Sequence, residues 1–142
     1  MTPDQVKLVQ ASFAQVVPIA DEAATMFYDY LFVIAPNVKP LFKGDMAEQR
    51  RKLIAMLAAV VNGLGDLNSI LPAASALAKR HVSYGVAPNH YAIVGQALLW
   101  TLEQGLGAKA WTKDLAAAWT AAYTTLAEFM IGEAYGRPVA AE

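Results

Sequence analysis

His81 is one of only two histidines in a chain of 142 residues, and it stands where an imidazole could do chemistry. It follows Leu77 by four positions, so both project from one face of a helix, and Gly85 supplies a stop four positions later. A neutral imidazole offers a ring-nitrogen lone pair at physiological pH, which makes it a common protein ligand for iron. The bland alternative is a hydrogen-bonded core histidine, the ordinary fate of a lone His on an apolar face. Gln49 and Leu53 form a second pair at helical spacing, one polar and one apolar residue on a shared face. Phe42 lies just beyond two prolines, where plain core packing at a corner is the competing reading.

The elements that must position these residues are helical. Thr2-Pro3-Asp4-Gln5 carries a capping residue, a proline at the first helical position and a glutamine that completes a capping box. That helix is expected to run to about Val17, where Pro18 breaks it. A second, from about Ile19 to Ala35, places Ala24, Phe27, Tyr28, Leu31 and Phe32 along one broad face. Pro36 and Pro40 force a tight, 3₁₀-like corner ending at Leu41-Phe42. Asp45, with Glu48 three residues on, opens the helix that bears Gln49, Leu53, Met56, Leu57, Val60 and Val61, and Gly63 and Gly65 end it. The helix bearing His81 is expected from about Asn68 to Tyr84, with Pro72 allowed only in its first turn. Pro88 starts another through about Leu106, and Thr112 caps a last one to about Ile131. The tail from Tyr135, with Gly136 and Pro138, reads as frayed. No repeat or second domain is visible, so one domain over residues 1–142 is the expectation.

A chain of this length can bury roughly 68–70% of its unfolded surface. The composition is 56% hydrophobic, with no pattern of alternating strands. A net charge of −1 offers no basic stripe for nucleic acid. The absence of cysteine excludes disulfides, thiolate metal sites and covalent c-type haem attachment. Residues 82–102 contain no Lys, Arg, Asp or Glu, but Pro88, Asn89 and His90 interrupt them, leaving about a dozen continuous residues against the ~20 of a membrane span. The start, Met1-Thr2-Pro3-Asp4-Gln5, does not read as a secretory signal, so a cytoplasmic protein is expected.

Lys79-Arg80-His81, then Gly85-Val86, then His90-Tyr91-x-Ile93-Val94-Gly95 with Leu98-Leu99, resembles the stretch around the proximal haem ligand of globins. The likeness is greatest to bacterial single-domain haemoglobins, the globin domain of flavohaemoglobins and neuroglobin-type chains. Phe27-Tyr28-Asp29-Tyr30-Leu31-Phe32 with Pro36, then Leu41-Phe42, then Gln49-Arg50-x-Lys52-Leu53 fall in the same order as in that family. The resemblance runs from about Val6 to Met130. It implies an all-α, single-domain globin fold, a three-over-three helical sandwich around haem b (iron protoporphyrin IX).

By the same resemblance His81 is the proximal iron ligand, its other ring nitrogen donating to a carbonyl near Leu77. Phe42 packs flat on the porphyrin, and Leu53, Val86 and Val94 wall the pocket. Arg80, with Lys79, reaches the propionates or simply forms a solvated face. Tyr28 matches the distal tyrosine of flavohaemoglobin-type globins, and Gln49 stands where many globins carry a distal histidine. Gln49 is a poor iron ligand, so a five-coordinate ferrous state is expected, with His90 near the surface and not a sixth ligand. Tyr91 matches the tyrosine of the flavohaemoglobin proximal network. Glu133 falls one residue short of that network's glutamate, a turn of about 100° on a helix. Without that carboxylate the imidazole is less anionic, and dioxygenase or peroxidase chemistry is weaker.

The implied function is reversible oxygen binding, with CO and NO as further ligands. The alternative is nitric oxide dioxygenation, with Tyr28 and Gln49 catalytic and electrons drawn from a separate reductase. Haem-based redox or gas sensing is a third reading, and a haem-free helical interaction module a fourth. The sequence leaves the oligomeric state open.

Overall fold

The computed structural model describes residues 1–83 and 85–135, with the backbone alone at Ser83. Helix α1 spans Pro3–Val16 and opens on the expected capping box: the Thr2 hydroxyl accepts from the Gln5 amide (3.1 Å), and the Gln5 side chain accepts from the Thr2 amide (3.0 Å). The α-helix ends at Val16, beside Pro18, as expected. Val17–Ile19 form a single 3₁₀ turn that passes directly into α2, Ala20–Ile34. A proline near the start of a turn removes only an N–H that has no helical partner there. The prolyl corner is a 3₁₀ turn over Pro36–Leu41. Helix α3, Met46–Gly63, is capped by Asp45, whose Oδ1 accepts from the Ala47 amide at 3.0 Å.

Helix α4 spans Leu67–Ser83, and Pro72 lies six residues in, past the first turn to which the sequence confined it. The missing N–H leaves the Asn68 carbonyl without its i+4 donor. Both residues are exposed, so water can satisfy that oxygen. Tyr84, expected to end this helix, lies outside the described residues. Helix α5, His90–Leu106, begins two residues after Pro88, and Gly107 ends it at φ +86°, a conformation that favours glycine. Helix α6, Lys113–Tyr135, starts with the Thr112 hydroxyl accepting from the Leu115 amide (3.1 Å) and runs four residues past Ile131. Tyr135 is therefore helical and not frayed; Gly136 and Pro138 lie outside the described residues.

The helices pack chiefly as α4 on α6, α2 on α5 and α1 on α6, with α3 against α2 and α1. Their apolar residues form two clusters. The larger joins Val9 and Phe13 of α1, Phe27, Tyr28 and Leu31 of α2, Leu57 and Val61 of α3, Leu98 and Leu102 of α5, and Trp119 of α6. Each fully buried Leu or Phe contributes about 1.5–3 kcal/mol to holding these helices together. The Trp119 indole N–H donates to the Ser12 hydroxyl at 2.9 Å, so the largest side chain of this core leaves no orphan donor. The smaller cluster joins Ala74 and Ala78 of α4, Tyr91 of α5, and Ala127 and Met130 of α6. Tyr123 touches both.

Candidate functional site

Tyr28 points inward from the middle of α2 and is 5% exposed. Its ring meets Phe27 and Phe42 edge to face, with centroids 4.9 and 5.4 Å away. Phe42 follows the Pro36–Leu41 turn, which aims it back over α2; it also meets Phe32 edge to face at 5.4 Å. Across from them, in the first turn of α3, the Gln49 amide donates to the Tyr28 phenolic oxygen at 3.1 Å. That bond uses the oxygen's lone pair and leaves the phenolic hydrogen for another acceptor. Burial pushes the Tyr28 pKa up, with the bond from Gln49 working against the rise. The phenol stays neutral and remains a donor. Leu53, one turn further along α3, is half-buried against the larger cluster, as is Val94 of α5.

On α4 the Nδ1 of His81 lies 2.8 Å from the Leu77 carbonyl oxygen. With Nδ1 as donor, the ring takes the tautomer that carries its lone pair on Nε2. Burial lowers the His81 pKa; the bond to Leu77 pulls it up, and the neighbouring Arg80 charge lowers it again. The imidazole is neutral at pH 7, the form that can ligate a metal. Leu77 and Val86 are half-buried against the smaller cluster. The Val86 amide donates to the His81 carbonyl at 3.0 Å, and Gly85 takes φ +90° to turn the chain there. A Cβ at Gly85 would stand 3.3 Å from the Leu41 side chain. The corner after His81 thus lies against the turn that delivers Phe42.

Tyr91, at the start of α5, lies alongside the imidazole with ring centroids 6.4 Å apart and planes at 28°. Its backbone carbonyl accepts the Tyr123 hydroxyl at 2.6 Å, while its own buried hydroxyl is the one buried side-chain polar atom without a partner among the described residues. Gly95 makes room for that arrangement, because a Cβ there would sit 2.6 Å from the Tyr123 ring. From the end of α6 the Tyr135 hydroxyl donates to the Val86 carbonyl. Burial raises the Tyr91 pKa, and Tyr135 raises it further. Tyr123 is not among the residues that the sequence marks, and Tyr135 begins the tail that reads as frayed. Gly95, one turn after Tyr91, was the available sign of a close approach; nothing local marked Tyr135.

Glu133 is exposed on α6. Lys79 and Arg80 are exposed at the end of α4. His90 is half-buried, not superficial: its Nδ1 accepts the Ala87 amide at 2.9 Å and closes the turn into α5. Among the described residues no three His, Asp or Glu side chains converge on a bare metal ion. The site instead offers a single imidazole between half-buried apolar walls: Phe42, Leu53 and Val94 belong to one cluster, Leu77 and Val86 to the other. These residues fit a flat, mostly apolar group that takes one axial nitrogen ligand.

A family model described as Globin matches residues 25–130. The chain belongs to the globin family. This globin is 37% identical over 136 residues to a flavohemoprotein of Bordetella parapertussis, covering 93% of its own length and 33% of that protein's. A flavohemoprotein of Vibrio cholerae is 28% identical over 134 residues. The chain therefore spans about a third of the length of these curated relatives. Among solved structures, a bacterial globin from Campylobacter jejuni superposes with a TM-score of 0.80 at 25% identity, covering 93% of this chain and 95% of that one. An engineered carbene transferase from Rhodothermus marinus, a protein inferred to be a nitric oxide dioxygenase, gives 0.82 at 25% identity, with 92% and 90% covered. The all-helical globin architecture read from the sequence is thereby established. No helix among the described residues is long and apolar enough to cross a membrane.

Proposed function

We propose that this globin holds haem b through His81 and binds dioxygen reversibly. Haem held by His81 would supply the dioxygen-binding chemistry, in which the gas gains negative charge. The protein's part is to hold the imidazole neutral, with Nδ1 on the Leu77 carbonyl and the lone pair on Nε2, and to present a neutral donor on the other side. The observation that carries the reading is the bond from the Gln49 amide to the Tyr28 oxygen. It fixes the phenol as an outgoing donor in an apolar pocket, where such bonds are strongest. Phe42, Leu53, Leu77, Val86 and Val94 wall the disc and exclude water from it. Lys79 and Arg80, exposed at the end of α4, would meet its carboxylate arms.

Nitric oxide dioxygenation, with CO and NO as further pocket ligands, is the second reading. It is favoured by the flavohemoprotein relatives and by the Rhodothermus marinus structure. Its electrons would come from a separate reductase, or from flavin-bearing sequence such as the part of those relatives that this chain does not span. Oxygen binding ranks first because Glu133, the residue that comes nearest to the glutamate of the family's proximal network, is exposed on α6. Reconstitution with haem and an absorption spectrum test the proposal. The expected result is a five-coordinate deoxy ferrous spectrum that converts on oxygenation, and loss of stable haem in His81→Ala. Normal haem content and an unchanged ferrous spectrum in that variant would overturn it.

A further inference from the structure

The charges of this chain are unevenly placed. Of its eleven Lys and Arg residues, seven fall between Lys39 and Arg80, together with only three of its twelve acids. Those seven lie on the segments that frame the pocket. Lys39 is on the Pro36–Leu41 turn, Lys43 follows Phe42, Arg50, Arg51 and Lys52 flank Gln49 on α3, and Lys79 and Arg80 precede His81 on α4. The contact of Gly85 with Leu41 brings the α4 end of this set against the turn that carries Lys39.

Two of the three acids on this stretch are already engaged. Glu48 is engaged by Lys52 at 3.6 Å, the one ion pair among the described residues, and Asp45 caps α3. Lys39, Lys43, Arg51 and Lys79 are exposed. Asp21 and Glu22 sit at the other end of α2, about 20 Å away along a 15-residue helix. Gly105, near the end of α5, packs by Ile19 at that same end and brings Glu103 toward it. Positive charge is therefore concentrated on the stretch from Lys39 to Arg80 that frames the pocket, in a chain whose net charge is only −1.

We infer that the cationic rim of Lys39, Lys43, Arg50, Arg51 and Lys79 is the docking surface for an acidic electron-carrier protein of the flavin or iron–sulfur class. The inference rests on the haem reading. A positive rim around the redox site meets a negative partner in the orientation that shortens the electron's path, and such complementarity governs encounter rate and register. The carrier gives up one electron and ferric iron becomes ferrous; no bond is made or broken. Nucleic acid, the other ligand a basic face would serve, is disfavoured by the acidic remainder of the surface, which would repel phosphates over a long footprint.

The test uses the haem-loaded chain, with loading read beforehand from its absorption spectrum. Failure to load would count against the haem reading and leave the docking surface untouched. A plant-type [2Fe–2S] ferredoxin, an acidic carrier, is titrated into ¹⁵N-labelled globin at 20 and 200 mM NaCl, and stopped-flow reduction of ferric haem is followed in parallel. Expected is an affinity that falls about tenfold or more with salt, with amide shifts at the rim. The triple variant Lys39→Gln, Lys43→Gln, Arg51→Gln should lose most of that affinity and its salt dependence. Lys109→Gln with Lys113→Gln, at the α5–α6 corner, should bind as the unchanged protein does. A salt-independent affinity, equal losses in both variants, or tighter binding to phosphatidylglycerol vesicles than to the ferredoxin would overturn the inference.

Discussion

Replacing Tyr28 by Phe removes one oxygen atom from the distal side and little else. The ring keeps its edge contacts with Phe27 and Phe42. The Gln49 amide loses its acceptor at 3.1 Å, but Gln49 is only half-buried and can turn to water, so the fold should lose no more than about 0.5–1.5 kcal/mol. The ligand loses more. A hydrogen bond to a charged acceptor contributes about 1.5–3 kcal/mol, which at 1.4 kcal/mol per decade is a roughly tenfold to hundredfold faster dissociation of dioxygen. Carbon monoxide develops less negative charge and should be released only slightly faster. Gln49→Leu should do less than Tyr28→Phe, because the amide acts by holding the phenol in place. In the double variant the two effects should fall short of their sum by about 0.5–1.5 kcal/mol, since only the first change has a bond left to break. Stopped-flow displacement with each gas measures all four proteins. The same acceleration for both gases in Tyr28→Phe, or additivity of the two substitutions, would refute this reasoning.

Gly95→Ala should destabilise the fold by about 1–3 kcal/mol in urea titration, because its Cβ would stand 2.6 Å from a Tyr123 ring that its own bond to the Tyr91 carbonyl holds still. Tyr123→Phe should soften that penalty by freeing the ring to shift. Burial holds the Tyr123 pKa far above the ordinary phenol value and raises Tyr28 and Tyr91 in the same direction. The native state keeps these protons when the unfolded chain releases them, so their contribution is complete below pH ~10 and is lost as pH rises beyond it. Stability against urea should fall from about pH 10 upward, and less steeply in Tyr123→Phe.

What the sequence made legible follows from the range of the interactions concerned. Capping by Thr2, Asp45 and Thr112 is settled within three residues, and all three caps are present. Helix ends governed by proline were less secure. Pro18 does end α1, but Pro72 sits inside α4, because exposed backbone tolerates a missing donor. At the site, one helical turn is enough to anticipate the bond between His81 and the Leu77 carbonyl. The contact of Gln49 with Tyr28 crosses from α3 to α2, and only the family resemblance brought those two residues together. The ties of Tyr123 to Tyr91 and of Tyr135 to Val86 span 32 and 49 residues, and no local pattern encodes them.

Those two ties bear on what the pocket can do. Four polar groups assigned to it are neutral at pH 7: burial raises the pKa of Tyr28 and Tyr91, burial lowers that of His81, and Gln49 carries an amide. From α6, Tyr123 fixes the Tyr91 backbone and Tyr135 fixes the corner after His81. A neutral lining accommodates an apolar disc at small electrostatic cost and favours only those ligands that themselves develop charge there. Formal charge is kept to the rim, where water screens it and where it can act on partners at a distance. Selectivity among gases and the approach of an electron donor are thus assigned to different residues. Substituting Lys39 or Lys43 should leave gas dissociation rates unchanged, just as Tyr28→Phe should leave the salt dependence of reduction unchanged.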